Sequence, residues 1–164
     1  MRGASQTDGL NAAQWEALRY LNRANSFSNS PGAMARYLGA TKGTTSQTVL
    51  ALIKKGVIAK SSRGDDGRSV VLTLTEAGLK LLASDPLLHI EKAIAQLGDK
   101  TSKRFAKGLR EILGSEITRQ NEPAFGTCFD CRHLIKNGGA NFCTLMNMAV
   151  GDIEKLCVFH ELKS

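Results

Sequence analysis

MARYLGATKGTTSQTVLALIKKGVIAKSSRGDDGRSVVLTL (residues 34–74) sets two helix signals, a tight turn and two strand signals in a row. Pro31 fits the first turn of a helix capped by Ser30. That helix carries Met34, Tyr37 and Leu38 and stops at Gly39. Gly39–Ala40–Thr41 is the turn. Thr41 caps a second helix that runs to about Lys55 and ends at Gly56, a residue suited to a helix C-terminus. On this helix Thr45, Val49, Leu52 and Ile53 share one face and are expected to pack inward. Thr44, Gln47, Ala51 and Lys54 fall on the other. Val57–Lys60 and Ser69–Leu74 read as strands. SSRGDDGR (residues 61–68) joins them, with Gly64 and Gly67 permitting a sharp turn. Helix, turn, helix and hairpin in this order make a winged helix-turn-helix, a fold that sets its second helix in the major groove of duplex DNA. Gln47 suits an adenine edge, and a threonine methyl can meet a thymine methyl. Arg63 and Arg68 at the hairpin tip can reach phosphates or the minor groove, with Asp65 or Asp66 orienting an arginine.

Upstream, Asn11 is placed to cap a helix in which Trp15, Leu18 and Leu21 recur at three-residue steps, with Tyr20 nearby. NSFSNSP (residues 25–31) reads as a polar loop. Downstream, residues 76–83, 87–97 and 103–119 read as helices, with Pro86 breaking the first two apart. Leu79, Leu82, Leu87, Leu88, Ile90, Ile94 and Leu97 form one apolar stripe. Phe105, Leu109, Ile112, Leu113 and Ile117 form another, expected to face inward. This is more apolar surface than a small winged domain can cover, and a homodimer is its simplest sink. The organisation expected is therefore mainly α with a small β-hairpin wing (α+β). It divides into a winged domain (10–82), a helical dimerisation stem (83–120) and a C-terminal cysteine module (121–164).

Charge follows this division. Residues 1–120 carry 18 Lys/Arg against 10 Asp/Glu, a net +8, whereas residues 121–164 carry 4 against 5, a net −1. The basic part is the part that would meet phosphate. No stretch approaches the roughly 20 apolar residues that span a bilayer, and the N-terminus lacks the apolar run of a signal peptide. A cytoplasmic location is the expectation. No nucleophile–base pair, phosphate-cradling glycine loop or paired-carboxylate pattern is present, so the chain is not expected to be an enzyme.

LNAAQWEALRYL, TKGTTSQTVLALIKKGVI, the DDGR hairpin tip and LTLTEAGLKLL together resemble the MarR family of bacterial transcription regulators from Leu10 to Leu82. The resemblance implies a homodimer on a pseudo-palindromic operator. It places Thr44, Ser46, Gln47 and Thr48 near the bases, and Asp66 and Arg68 as the DNA-contacting pair of the wing. Gly67 stands where members often carry a bulkier residue. Only about ten residues precede the helix containing Gln14 and Trp15, so the family's long first helix is expected to be shortened or missing.

All four cysteines lie in the last 37 residues, within TCFDCRHLIKNGGANFCTLMNMAVGDIEKLCVFHE (127–161). Cys128, Cys131, Cys143 and Cys157 are spaced C-x2-C-x11-C-x13-C. Four thiolates opening with a two-residue knuckle have the number and type that zinc or an iron–sulfur cluster needs. Phe125, Phe129, Phe142 and Phe159 lie beside them, and apolar shielding tunes a cluster and slows its loss. His133 and His160 are candidates to replace a ligand or to hydrogen-bond to one. The spread of the last two cysteines, with CTLM and CVFHELK around them, resembles the cluster-binding half of high-potential iron–sulfur proteins. That resemblance implies a 4Fe-4S cluster on the four cysteines; zinc and metal-free thiol chemistry remain alternatives.

The expected function is a DNA-binding transcription regulator, in the sense of a repressor, whose cluster senses redox state, oxygen, nitric oxide or iron. One alternative is the same regulator with a structural zinc and a small-molecule effector. Another is an electron-transfer or protein-interaction module. The DNA-contacting set expected is Thr44, Ser46, Gln47, Thr48, Lys54, Arg63, Asp66 and Arg68.

Overall fold

In the computed structural model, residues 9–63, 69–120, 125–137 and 139–162 are described. Helix α1 (Ala12–Arg23) opens on Asn11, whose side chain accepts from the Gln14 N–H while the Gln14 side chain reaches back to the Asn11 N–H. These two bonds satisfy donors that a helix start otherwise leaves bare. Helix α2 (Pro31–Tyr37) is capped by Ser30 and α3 (Lys42–Lys54) by Thr41. Gly39 and Gly56 end these helices at φ +59° and +70°, a left-handed backbone that side-chain-bearing residues adopt at a cost.

Strands β1 (Ile58–Arg63) and β2 (Ser69–Leu74) pair antiparallel, from Ile58 opposite Leu74 to Arg63 opposite Ser69. The first strand starts one residue later than its sequence indicated and ends three residues later. Ser61 and Ser62 lack strand-forming side chains but are held opposite Val71 and Val70, so pairing with the partner strand overrides their own preference. Helix α4 (Glu76–Leu82) follows, capped by Thr75, whose hydroxyl also donates to the Gly56 carbonyl.

One core joins these elements. Leu10, Trp15, Leu18, Tyr20, Met34, Val49, Leu52, Ile58 and Leu72 are buried in it together. Val158, from the far end of the chain, is part of the same cluster.

Helices α5 (Leu88–Ala95) and α6 (Asp99–Gln120) extend beyond it. The inward placement of the α6 apolar residues is corrected here. Phe105, Leu109, Ile112 and Leu113 are 43–62% exposed, because a single chain offers this helix no second layer. Ile90 and Ile94 of α5 are exposed in the same way. The side chain of Ile117 lies outside the described residues.

An ion pair ties α1 to the start of the stem. Arg19 Nε and Nη2 each sit 2.7 Å from the two Asp85 oxygens, a fork geometry that adds direction to charge. The hydrogen bond from Arg19 holds the Asp85 carboxyl below its ordinary range, against the opposing effect of burial. A carboxyl depressed in the folded state stabilises it above the unfolded value near about 3.9. That contribution is lost as pH falls through the lowered folded value. Asp85→Ala is therefore expected to lower stability at pH 7 by about 2 kcal/mol and to weaken the acid dependence of thermal unfolding. Equal melting of the two proteins at pH 7 would contradict this.

Candidate functional site

The buried side of α3 is Thr45, Val49 and Leu52, with Ile53 half-buried rather than fully inward. Thr44, Ser46, Gln47 and Lys54 are exposed, and Thr48 and Ala51 are half-buried. Two hydroxyls are already engaged along the helix: Thr48 Oγ1 donates to the Thr44 carbonyl, and Thr44 Oγ1 lies 3.0 Å from Thr41 Oγ1. Ser46, Gln47 and Lys54 thus supply the polar reach of this face. Leu50 is 60% exposed and was not anticipated. Its signal was present, since it falls outside the Thr45–Val49–Leu52 stripe, and an apolar residue there is suited to a thymine methyl.

The backbone of Arg63 ends β1, and its side chain lies outside the described residues, as do Asp66 and Arg68 entirely. Beside the α2–α3 turn runs an open groove of about 610 Å³ whose lining includes Arg36, Lys42, Phe27 and Phe159. Neither cation belongs to the set expected from the sequence.

The cysteine module folds around a sheet that the sequence did not announce. Strands β3 (Leu134–Asn137), β4 (Ala140–Cys143) and β5 (Met148–Ala149) are antiparallel in that order, with Cys143 paired to both Leu134 and Met148. A single helical turn holds Cys128–Asp130. The Cys128 N–H donates to the Ile153 carbonyl and the Cys157 N–H to the Gly126 carbonyl. These bonds bring residues distant in sequence to one place. Cys128, Cys131, Cys143 and Cys157 all line a single apolar cavity, together with Phe27, His133, Leu134, Leu145, Met146 and Phe159. None of the four is in a disulfide.

The donor set suits a thiophilic metal group. The spacing is that of separate thiols: among the described residues no three of His, Cys, Asp or Glu are placed to hold a single metal ion. The space they enclose is about 10 Å³, roughly one water-sized sphere. Burial, and then the neighbouring Cys157, Cys131 and Cys143, push the Cys128 thiol up to about 11. Loading a cation there would have to release that proton.

The aromatic shielding differs from the expected set. Phe159 lines the cavity, but Phe129 is 55% exposed. Phe125 turns away to meet Tyr37 edge-on at 5.0 Å, under the Arg36 guanidinium. The other ring in the cavity wall is Phe27, from the winged domain. His133 lines the cavity, with Nε2 3.3 Å from a Glu161 oxygen but not in hydrogen-bond alignment. The His160 ring lies against Gly126, where an added Cβ would come within 2.5 Å of it, and its Nε2 is 3.0 Å from Asp130.

The wing and the three-helix core have counterparts among known proteins. Residues 8–69 match the MarR family. The fold is a MarR-like winged helix. Staphylococcus aureus MepR in its DNA-binding conformation is 23% identical, over 65% of this chain and 80% of that one, with a TM-score of 0.54. The MepR–DNA complex gives 23% identity over 65% and 79%, at 0.50. A MepR mutant from a multidrug-resistant clinical isolate gives 21% over 70% and 85%, at 0.51. No sequence among curated proteins matches the chain. Among the described residues no helix is long and apolar enough to cross a membrane.

Proposed function

We propose that this protein is a MarR-type transcription regulator that binds a pseudo-palindromic operator as a homodimer and carries a metal group on its four C-terminal cysteines. The observation that carries the DNA reading is the exposed polar face of α3, set beside the β1–β2 hairpin in a fold that MepR presents to DNA. Gln47, with Thr44, Ser46 and Thr48, meets base edges in this reading, and Leu50 a methyl group. Lys54, Arg36 and Lys42 serve phosphates. Arg63, Asp66 and Arg68 belong to the wing contact. The bare apolar faces of α5 and α6 meet those of a second chain, which sets the distance between two recognition helices and hence the half-site spacing.

The observation that carries the metal reading is the convergence of all four thiols on one apolar cavity. A 4Fe-4S cluster, when bound, supplies a centre responsive to redox state, oxygen, nitric oxide or iron supply. Cys128, Cys131, Cys143 and Cys157 hold it, with the half-buried Leu134 and Met146 packed around them. A second reading puts one zinc ion on the same four thiolates, which would have to close on it to about 2.3 Å. Iron, acid-labile sulfide and zinc measured on anaerobically purified protein separate the two. Four irons and four sulfides per chain, with visible absorbance, are expected. One zinc in a colourless protein would replace the cluster.

Gln47→Ala is expected to weaken binding to a duplex selected from random sequence about tenfold, as the loss of one bidentate base contact does, while helix content stays constant. Arg68→Ala is expected to do the same. Unchanged binding by both variants in gel-shift titrations would contradict the assigned face.

A further inference from the structure

The cysteine module is bonded to the end of α1 and to the segment joining α1 to α2. The Asn25 N–H donates to the Leu156 carbonyl at 2.9 Å, and the Leu156 N–H to the Arg23 carbonyl at 2.7 Å. Ser28 has no exposed surface. Its hydroxyl donates to Asn25 Oδ1 and accepts from the Val158 N–H, both at 2.8 Å. Its carbonyl accepts the Tyr20 hydroxyl. Every polar group of Ser28 is thus committed, and one of those bonds goes to the residue that follows Cys157.

Phe27, the preceding residue, is the one wall of the thiol cavity contributed by the winged domain. The same ring also lines the groove beside the α2–α3 turn. Two residues after Ser28 comes Ser30, which caps α2 by accepting from the Ala33 N–H. The Asn29 carbonyl accepts from Leu72 in β2. One short segment therefore touches the thiol cavity, the start of α2 and the wing.

Given the four-cysteine metal site proposed above, on which this step rests, we infer that Phe27 and Ser28 are the positioning residues that pass the site's occupancy to the DNA-binding helices. A cavity of about 10 Å³ has no room for a multi-atom metal group unless its walls part. Packed interiors yield by shifting whole elements and not by compressing. The Phe27 wall belongs to α2's own lead-in. When it moves, Ser28 and the α2 cap must follow, since the buried hydroxyl cannot release Val158 without leaving polar groups unpaired. Helix α3 packs on α2, so the recognition face tilts with it.

The test uses full-length protein, prepared anaerobically and then stripped by chelation, titrated against a duplex selected from random sequence. Metal-loaded and stripped wild type are expected to differ in Kd by about tenfold or more, the usual scale of allosteric coupling. Ser28→Ala and Phe27→Ala are expected to keep the wild-type metal content while that ratio falls below about twofold. Phe27→Ala leaves every hydrogen bond above intact, so it remains decisive if Ser28→Ala fails to fold. A tenfold ratio kept by the variants would overturn the linkage and leave the metal site standing. Loss of metal from Phe27→Ala would also overturn it, because the ring would then serve the cavity alone. Wild type without metal, or with equal affinities in both states, would remove the metal-dependent regulator itself and the linkage with it.

Discussion

A Cys157→Ser chain is expected to purify without metal and to lose order throughout the C-terminal module. Thiolate-bound metal contributes heavily to folding in small domains, about 10–16 kcal/mol of binding free energy for structural zinc in peptides at pH 7. Beyond the proposed metal site the module has little to hold it. Its strands are two to four residues long, and Phe129, Ile135, Leu145 and Met148 are exposed. The loss would not stay local. Leu156 and Val158 flank Cys157 and are both buried, Val158 within the core that also holds Tyr20 and Met34. Removing one buried valine costs about 1.5–3 kcal/mol. The winged domain should therefore melt earlier in Cys157→Ser than in wild type. Metal analysis and thermal unfolding check both parts. Wild-type metal content in the variant would contradict the ligand assignment.

Gly78→Ala is expected to be the most damaging single methyl in the winged domain. On helix propensity alone the change should help by up to about 1 kcal/mol. Geometry opposes it. A Cβ at Gly78 would lie 2.1 Å from the Val57 carbonyl oxygen, 3.1 Å from its carbon and 3.3 Å from Leu74 Cδ2. That oxygen already accepts from the Thr75 N–H, and Val57 leads directly into β1. Backbone held by its own hydrogen bond cannot swing aside as a long side chain would. Relief has to come from moving α4 off the hairpin, so a loss of about 3 kcal/mol or more is expected. This corresponds to a fall of roughly 6–12 °C in Tm for a chain of this size. Gly32→Ala is the control: nothing lies within 4 Å of its added Cβ, and its melting should not drop. Equal Tm values for Gly78→Ala and wild type would contradict the packing of α4 on the wing.

Much of the winged domain was legible because its signals are local. Asn11, Ser30 and Thr41 cap the helices they were expected to cap, and Gly39 and Gly56 stop theirs. Trp15, Leu18 and Leu21 are buried as their spacing implied. The hidden parts depend on partners distant in the chain. Ser28 lies in a run that reads as a polar loop, yet it is fully buried, because Val158, 130 residues away, supplies its hydrogen bond. No periodicity records a bond between a backbone amide and a serine hydroxyl. The β3–β5 sheet escaped notice because such short strands carry too few residues to alternate. The four cysteines were legible as a set from their concentration, whereas the ring closing their cavity from the winged domain was not. Phe27 had no sequence neighbour to associate it with them. Phe105, Leu109, Ile112 and Leu113 were recognised as one apolar face. Their exposure follows because a face that pairs between chains reads the same in sequence as one buried within a chain.

Binding of the full-length protein to a duplex selected from random sequence, followed across a salt series, tests the central claim most directly. Saturable binding at two chains per duplex is expected. Affinity should fall with salt by about 0.9 log units per log unit of salt for each phosphate neutralised, and Gln47→Ala should weaken it. Failure of the full-length protein to bind duplex DNA at any salt concentration would contradict it.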